Sequence, residues 1–96
     1  MAVAGAAFLV TFESLPVGTF RAHSLGRVYI VSKSSIVGGR GGKLVAEALD
    51  GSDYISFNIY RLKAQTELFP CEMSSAKVTE FVLGIDPTSV RVETDQ

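Results

Sequence analysis

A chain of 96 residues has room for one compact domain, predicted over residues 1–96, and is too short for two. Its hydrophobic content of 47% excludes a disordered chain, because such chains are too polar to offset the entropy lost on folding. The formal net charge of −1 disfavours a domain that binds nucleic acid through its overall charge.

The single cysteine, Cys71, excludes an internal disulfide and a metal site built from several cysteines. Small secreted domains usually need disulfides, so this composition favours a reducing compartment. The apolar start, Met1 to Val10, lacks the charged region of a secretory signal. No apolar stretch approaches the roughly 20 residues that cross a bilayer. We therefore expect a cytoplasmic protein with no membrane partner.

Residues 8–13 predict a first strand. Large apolar side chains occupy every second position, at Phe8, Val10 and Phe12, which is the period of a strand with one apolar face. The strand should end before Pro16, because proline lacks the amide donor that a ladder needs.

A hairpin follows, with Ser24-Leu25-Gly26 as a three-residue loop and Gly26 in the left-handed position that this loop class needs. In this register one face is apolar and the other is polar, whereas a slip of one residue would place Arg21 in the core. The apolar face holds Phe20, Ala22, Val28 and Ile30, and the polar face holds Arg21, His23, Arg27 and Tyr29.

Residues 38–42 read Gly-Gly-Arg-Gly-Gly. Ordering such a run costs maximal backbone entropy, so we predict a mobile loop between adjacent strands. Two interpretations of its charge stay open. The loop is either an exposed connector that its charges keep soluble, or a flexible basic finger in which Arg40 and Lys43 touch an anionic partner.

Residues 50–53, Asp-Gly-Ser-Asp, predict a second tight hairpin. This turn would pair Ala48 with Ile55 and Ala46 with Phe57. Residues 19 to 62 then form a four-stranded antiparallel meander. Six apolar side chains share one of its faces: Leu44, Ala46, Ala48, Ile55, Phe57 and Ile59.

The remaining sequence predicts a short edge strand at residues 67–69, a helix, and a last strand near Val90 and Val92. Ser74 and Ser75 are candidate helix N-caps, and Pro87 prevents continuation of the helix. One helical stripe is formed by Val78, Phe81, Val82 and Ile85. The predicted fold class is α+β: a small antiparallel β-meander or partly open barrel of five to six strands, with one C-terminal helix packed on the apolar face.

The segment Ser14–Ala46 is the main charge asymmetry, with five basic residues and no acidic one. The glycine run and the predicted outer face of the meander expose these cations beside tyrosines. Arginine and aromatic side chains are enriched at the energetic centres of protein interfaces. The candidate binding residues are Arg21, Arg27, Tyr29, Lys33, Arg40, Lys43, Tyr54 and Tyr60.

From these residues we interpret the chain as a noncatalytic interaction module that binds a protein partner, or a second copy of itself, through the outer sheet face. Basic groups can neutralise phosphates and aromatic rings can stack bases, so binding of single-stranded nucleic acid or another polyanion is an alternative. The sequence contains no recognised nucleic-acid-binding motif.

A third hypothesis is a small enzyme that uses Cys71 as a nucleophile. It requires a base, for which His23 is the obvious candidate, within hydrogen-bond distance of the thiol. No cofactor or metal is expected, because Asp50 and Asp53 span a turn and lack the ligand series of a calcium loop.

Overall fold

The computed structural model describes residues 2–93, which form an α+β fold with one antiparallel sheet, and these two features of the prediction are confirmed. The sheet is not closed into a barrel. The predicted domain range also includes Met1 and Thr94–Gln96, which lie outside the described residues. The elements are β1 (Ala2–Val3), α1 (Ala6–Ser14), β2 (Gly18–Ser24), β3 (Arg27–Ser35), β4 (Gly41–Ala48), β5 (Tyr54–Arg61), β6 (Thr66–Pro70), α2 (Ser75–Leu83) and β7 (Arg91–Val92).

Within residues 2–93 the strand order is β1-β6-β5-β4-β3-β2-β7, and every neighbouring pair is antiparallel. Strands β2 to β6 form a meander, because each pairs with the next in sequence. The two outer strands have only two residues each, which is why the count exceeds the five to six strands predicted. Short 3-10 turns at Val37–Gly39 and Pro87–Ser89 complete the fold.

The strand predicted over residues 8–13 is wrong, because these residues lie in helix α1. Phe8 and Phe12 are buried and four residues apart, so they share one side of a helix. Val10, which the strand prediction placed on the same face as these rings, is 71% exposed. The ring centroids of Phe8 and Phe12 lie 5.6 and 5.8 Å from that of Phe57 in β5, and these contacts hold the helix against the sheet.

The β2–β3 hairpin differs from the predicted register by one residue. Leu25 and Gly26 form a two-residue turn, both with positive φ, and Ala22 faces Tyr29 instead of Val28. Strand β2 keeps its predicted faces, but β3 is turned over, since successive residues of a strand point to opposite sides. Tyr29 is therefore buried, and Val28 lies half-buried on the opposite side.

The β4–β5 hairpin pairs two residues away from the prediction, with Ala46 opposite Ile55. The amide of Ala48 donates to the carbonyl of Asp53 at 2.9 Å, so the loop consists of the residues between these two and is longer than predicted. A shift of two residues leaves every side chain on its predicted side. The predicted apolar face is therefore correct, and its six side chains are at most 3% exposed.

The second half of the glycine run lies in strand β4 and not in a loop. A Cβ on Gly41 would collide with the carbonyl oxygen of Ile59 in β5, and a Cβ on Gly42 would lie 3.0 Å from the ring of Phe12. These two glycines therefore permit close approach of β5 and α1 to β4. The loop predicted over residues 38–42 is confined to the residues before Gly41.

Both helices lie on the same side of the sheet, the covered face. Helix α1 contacts Phe57, and helix α2 places the ring of Phe81 with its centroid 4.8 Å from that of Tyr29. Helix α2 begins after Ser74, whose Oγ accepts a hydrogen bond from the amide of Lys77 at 3.1 Å, which confirms this N-cap prediction. The buried apolar side chains of the covered face are Phe20, Ala22, Tyr29, Val31, Leu44, Ala46, Ala48, Ile55, Phe57, Ile59 and Leu68.

The edges of the sheet are occupied by other segments of the described chain. Strand β1 pairs with β6, and β7 pairs with β2 near the predicted last strand. Beyond β7 the amide of Glu93 donates to the carbonyl of Thr19 at 3.0 Å. Near the other end of β2, the amide of His23 donates to Ser89 Oγ at 2.8 Å. The carbonyl of His23 accepts a hydrogen bond from the amide of Asp86 at 2.9 Å. Such short edges resist pairing with strands of other molecules.

Candidate interaction surface

The side of the sheet opposite the helices carries apolar side chains that no helix of residues 2–93 covers. Tyr54 and Tyr60 are 50% and 38% exposed, and Val28, Ile30 and Val45 are half-buried. Apolar groups that cluster on one surface mark a site of interaction more often than scattered ones do. We call this side the uncovered face, formed by Thr19, Arg21, His23, Val28, Ile30, Ser32, Ser34, Lys43, Val45, Glu47, Tyr54, Ser56, Asn58, Tyr60, Glu67 and Phe69.

The centre of the uncovered face is Val45 on β4, the fourth strand of the seven in the described sheet. Its neighbours across the strands are the small residues Ser32 and Ser56. Lys43 and Glu47 lie two residues to either side of Val45 and therefore point to the same face, about 13 Å apart. Within residues 2–93, neither Lys43 nor Glu47 forms a salt bridge.

Four of the predicted binding residues lie on the uncovered face: Arg21, Lys43, Tyr54 and Tyr60. The Nε atom of Arg21 lies 3.3 Å from Oε2 of Glu93, so this cation already has a partner in the chain. The ring of Tyr60 packs edge-on against Phe69 of β6, with a centroid distance of 5.3 Å.

The prediction that Tyr29 lies on the outer surface is wrong, because the register of β3 turns it onto the covered face, where it is 1% exposed. Its hydroxyl donates to Oδ2 of Asp53 at 2.7 Å, and Nζ of Lys77 lies 2.8 Å from Oδ1 of the same carboxylate. This trio joins β3, the β4–β5 loop and α2.

The ionisation of the trio reflects these contacts. Burial is the main cause that raises the pKa of Tyr29, and the hydrogen bond to the Asp53 carboxylate raises this pKa further. Burial opposes ionisation of Asp53, but hydrogen bonds from Lys77 and Tyr29 outweigh it and hold the pKa of Asp53 below its ordinary value.

The prediction that Lys33 lies on the outer surface is wrong for the same reason, and this lysine is 8% exposed. Its Nζ donates to the carbonyls of Phe12 and Leu15 at 2.6 and 2.8 Å, and it lies 4.3 Å from the centroid of the Phe12 ring. Carbonyls at a helix C-terminus carry partial negative charge, so the ammonium caps α1. Burial lowers the pKa of Lys33, while the nearby Glu13 carboxylate opposes this shift.

The other two predicted binding residues lie apart from these. Arg27 donates from Nε to Oγ of Ser52 at 3.0 Å, at the end of the β2–β3 hairpin. Arg40 is exposed immediately before β4, and its carbonyl accepts the amide of Arg61 at 2.7 Å.

The cations of the segment Ser14–Ala46 do not share one surface. Lys33 is buried beneath α1, whereas Arg21 and Lys43 lie on the uncovered face together with the acidic Glu47. Neutralisation of phosphates requires several cations on the same side of the protein. This distribution weakens the support for binding of nucleic acid or another polyanion.

Cys71 and His23 do not meet the geometric requirement for thiol catalysis. Cys71 is half-buried directly after β6, where its amide donates to the carbonyl of Ser56 at 3.0 Å. His23 lies on β2, and three strands separate β2 from β6, which places the two residues about 19 Å apart along the sheet. A nucleophile and its base must lie within hydrogen-bond distance.

A cavity lies between the helices and is a separate candidate binding site. A cavity of about 550 Å³ opens between α1 and the segment after α2, with the exposed side chains of Val10 and Leu83 at its wall. Ligand pockets of this size usually include a few convergent polar groups that fix the ligand's orientation. The described lining is largely aliphatic, and none of its residues is charged: Val10, Thr11, Ser14, Leu15, Leu83, Ile85, Pro87 and Val90.

Sequence reasoning missed several residues of the uncovered face. Val28 and Ile30 were assigned to the wrong side because the β2–β3 register was shifted. Glu47 directly follows the basic segment and was given no role, although its two-residue spacing from Val45 places it on the same face as that valine. Phe69 was predicted in a strand but was given no role.

Comparisons with protein-family models, with curated proteins and with solved structures find no match to this chain. Residues 2–93 contain no group of three or more His, Cys, Asp or Glu side chains that could hold a metal ion. Within the same range, neither helix combines the length and the apolar character needed to cross a membrane. The candidate function therefore depends on the geometry of the sheet.

Proposed function

We propose that this chain is a noncatalytic interaction module that binds a protein through the uncovered face. The observation that carries the proposal is the placement of half-buried Val28, Ile30 and Val45 beside exposed Tyr54 and Tyr60 on a face that no helix of residues 2–93 covers. Removing such side chains from water favours association, and tyrosine is enriched among residues that dominate binding energy.

The face is a better docking surface than the edges. An exposed edge strand offers unpaired amides and carbonyls to a partner. Here β7 and the segment at residues 85–89 occupy much of the edge of β2, while β1 pairs with β6. Side-chain contacts across the face, and not an added strand, are therefore the mode of binding that we propose.

The charges of the face also favour a protein over a polyanion. Lys43 and Glu47 flank Val45 with opposite signs, and Glu67 adds a second carboxylate next to Tyr60. A protein partner can place complementary charges opposite both signs, whereas a nucleic acid backbone is repelled by the carboxylates.

A cytoplasmic location and a single domain complete the proposal. Both expectations come from composition. The 96 residues have the size of one domain, and the single cysteine cannot form the internal disulfide that small secreted domains usually need. The half-buried position of Cys71 is compatible with a reduced thiol that has no catalytic role.

Affinity capture from a lysate tests the surface, with the wild type and two variants as bait. Val45→Glu places a charge at the centre of the uncovered face, and Val10→Glu places the same charge on the cavity wall at α1. We expect Val45→Glu to lose the proteins that the wild type retains and Val10→Glu to keep them, with unchanged circular dichroism in all three. Retention by Val45→Glu, or loss with Val10→Glu alone, would contradict the proposal.

A further inference from the structure

We infer that the partner of the uncovered face is a second copy of this chain, stacked face to face about a two-fold axis that passes over Val45 at right angles to β4. This inference rests on the proposed function, because it names the occupant of the same surface. Two opposite charges placed symmetrically about the centre of the sheet, Lys43 and Glu47, support this arrangement.

The two charges of β4 are symmetric about Val45. Lys43 and Glu47 stand at equal distances from Val45 on the central strand, and neither has a salt-bridge partner within residues 2–93. A two-fold axis over Val45, lying between the sheets and perpendicular to β4, stacks the two β4 strands in opposite directions. It places Lys43 over the partner's Glu47 and Glu47 over the partner's Lys43, so one contact forms twice.

The same charges exclude the other symmetric arrangement of the two faces. An axis parallel to β4 would stack the strands in the same direction and place Lys43 over the partner's Lys43. Glu47 would likewise face the partner's Glu47. Like charges placed in contact repel and would oppose dimerisation, so the charges select the antiparallel arrangement.

The sizes of the neighbouring side chains fit the antiparallel arrangement as well. Ile30 and Tyr54 flank Glu47 across the strands, while the smaller Ser34 and Asn58 flank Lys43. The two-fold axis perpendicular to β4 places the row that contains Glu47 over the row that contains the partner's Lys43. The large Ile30 and Tyr54 therefore face small side chains. In the central row, Ser32 and Val45 meet their own copies and their small size permits close approach, while Ser56 beside them is only 5% exposed within the chain.

The separation of stacked sheets suits these contacts. Two sheets pack about 10 Å apart, a gap that the long side chains of Lys43 and Glu47 can span from opposite sides. Because twisted sheets cross at about 30°, the stacked strands of the two copies diverge with distance from the two-fold axis. Contacts close to the axis are therefore displaced least. Val45, Lys43 and Glu47 all belong to the strand that the axis crosses.

Charge-exchanged variants test the inference by sedimentation equilibrium at low salt. Lys43→Glu alone places carboxylate against carboxylate twice, and Glu47→Lys alone places ammonium against ammonium twice. We expect each single variant to weaken dimerisation at least about tenfold. An equimolar mixture of the two should form a heterodimer, and the double variant Lys43→Glu/Glu47→Lys should dimerise nearly as well as the wild type.

Lys63→Glu is the matched control, because it makes the same charge change at an exposed loop residue outside the uncovered face. It should leave the dimerisation constant unchanged, and circular dichroism should confirm that every variant is folded. The loss of association in each single variant is specific to the antiparallel arrangement, because the parallel arrangement already stacks like charges in the wild type. Recovery in the mixture to the wild-type level then shows that the lost contacts are between these charges.

Three results would overturn the inference: a wild type that stays monomeric at every concentration, single variants that dimerise like the wild type, or a mixture that shows no recovery. The first result does not decide the proposed function. If the wild type is monomeric but its bait still retains another protein that Val45→Glu loses, the uncovered face binds a partner other than this chain.

Discussion

The covered and uncovered faces belong to the same strands and differ in what the chain itself supplies to bury them. On the covered face, Phe20 and Phe57 are fully buried beneath two helices, and even Lys33 is enclosed by the end of α1. On the uncovered face, Val45 remains half-buried between Lys43 and Glu47. The difference separates two roles: one face holds the domain together, and the other is available to a partner.

The comparison predicts its largest contrast between Phe57→Ala and Val45→Ala. The first removes a ring that contacts both Phe8 and Phe12 and leaves a cavity, so it should lower the free energy of unfolding by about 3–5 kcal/mol. The second removes two methyl groups from a half-exposed position and should cost about 1 kcal/mol or less. Urea denaturation measures both, and equal losses would erase the distinction between the faces.

Two lysines on adjacent strands sharpen the comparison. Lys33→Ala removes a buried stem and leaves the carbonyls of Phe12 and Leu15 without their donor, so we expect a loss of about 2–3 kcal/mol. Lys43→Ala, on the opposite side of the sheet, should change stability by less than about 0.5 kcal/mol. Thermal and urea unfolding of both variants test this order, which a larger effect of Lys43→Ala would reverse.

Acid should weaken the attachment of α2 at the covered face. Because the folded pKa of Asp53 lies below its unfolded value of 3.8, its contribution to stability is present above that value and is lost as pH falls through the folded pKa. The Asp53→Asn variant lacks this contribution, so it should be less stable than wild type by about 1 kcal/mol at neutral pH.

The stability difference caused by Asp53→Asn should shrink as the pH falls below 3.8. Unfolding in urea at several pH values measures it. Glu80→Gln removes a charge from an exposed position on α2 and is the control, with an expected effect below about 0.5 kcal/mol. A difference for Asp53→Asn that stays constant down to pH 2 would contradict the role given to its carboxylate.

The two hairpins show what the sequence could and could not specify. In β4–β5 the apolar residues occur at every second position, so an error of two residues in the pairing left the faces correct. In β3 four consecutive residues, Val28 to Val31, are apolar, and either alternate set could have faced the core. The lysine at position 33 favoured the wrong set, because a buried, capping ammonium is uncommon.

The turn explains the same error from the backbone side. Leu25 adopts a positive φ of 51°, which is unfavourable for a residue with a branched side chain, so a three-residue loop ending at Gly26 was the more economical prediction. Tertiary contacts override this preference: Tyr29 packs against Phe81 only in the observed register. The misplacement of Tyr29 and Lys33 in the candidate site follows directly from this turn.

The two helices were unequally visible in the sequence. Helix α2 has a serine N-cap and a stripe of buried residues at helical spacing, so its start was predictable from Ser74 onward. Helix α1 is apolar on nearly every side between Ala6 and Val10, and it lacks a side-chain cap. Its helical spacing of Phe8 and Phe12 was therefore indistinguishable from a strand alternation over the same residues.

Nuclear magnetic resonance of the labelled wild-type protein at increasing concentrations tests the central claim most directly, because it reports each backbone amide separately. If the uncovered face is the surface through which this chain associates, the amide shifts that change should cluster at Val28, Ile30, Lys43, Val45 and Glu47, and dilution should reverse them. Changes that cluster instead at Val10 and Leu83 beside the cavity, or shifts that do not depend on concentration, would contradict the account.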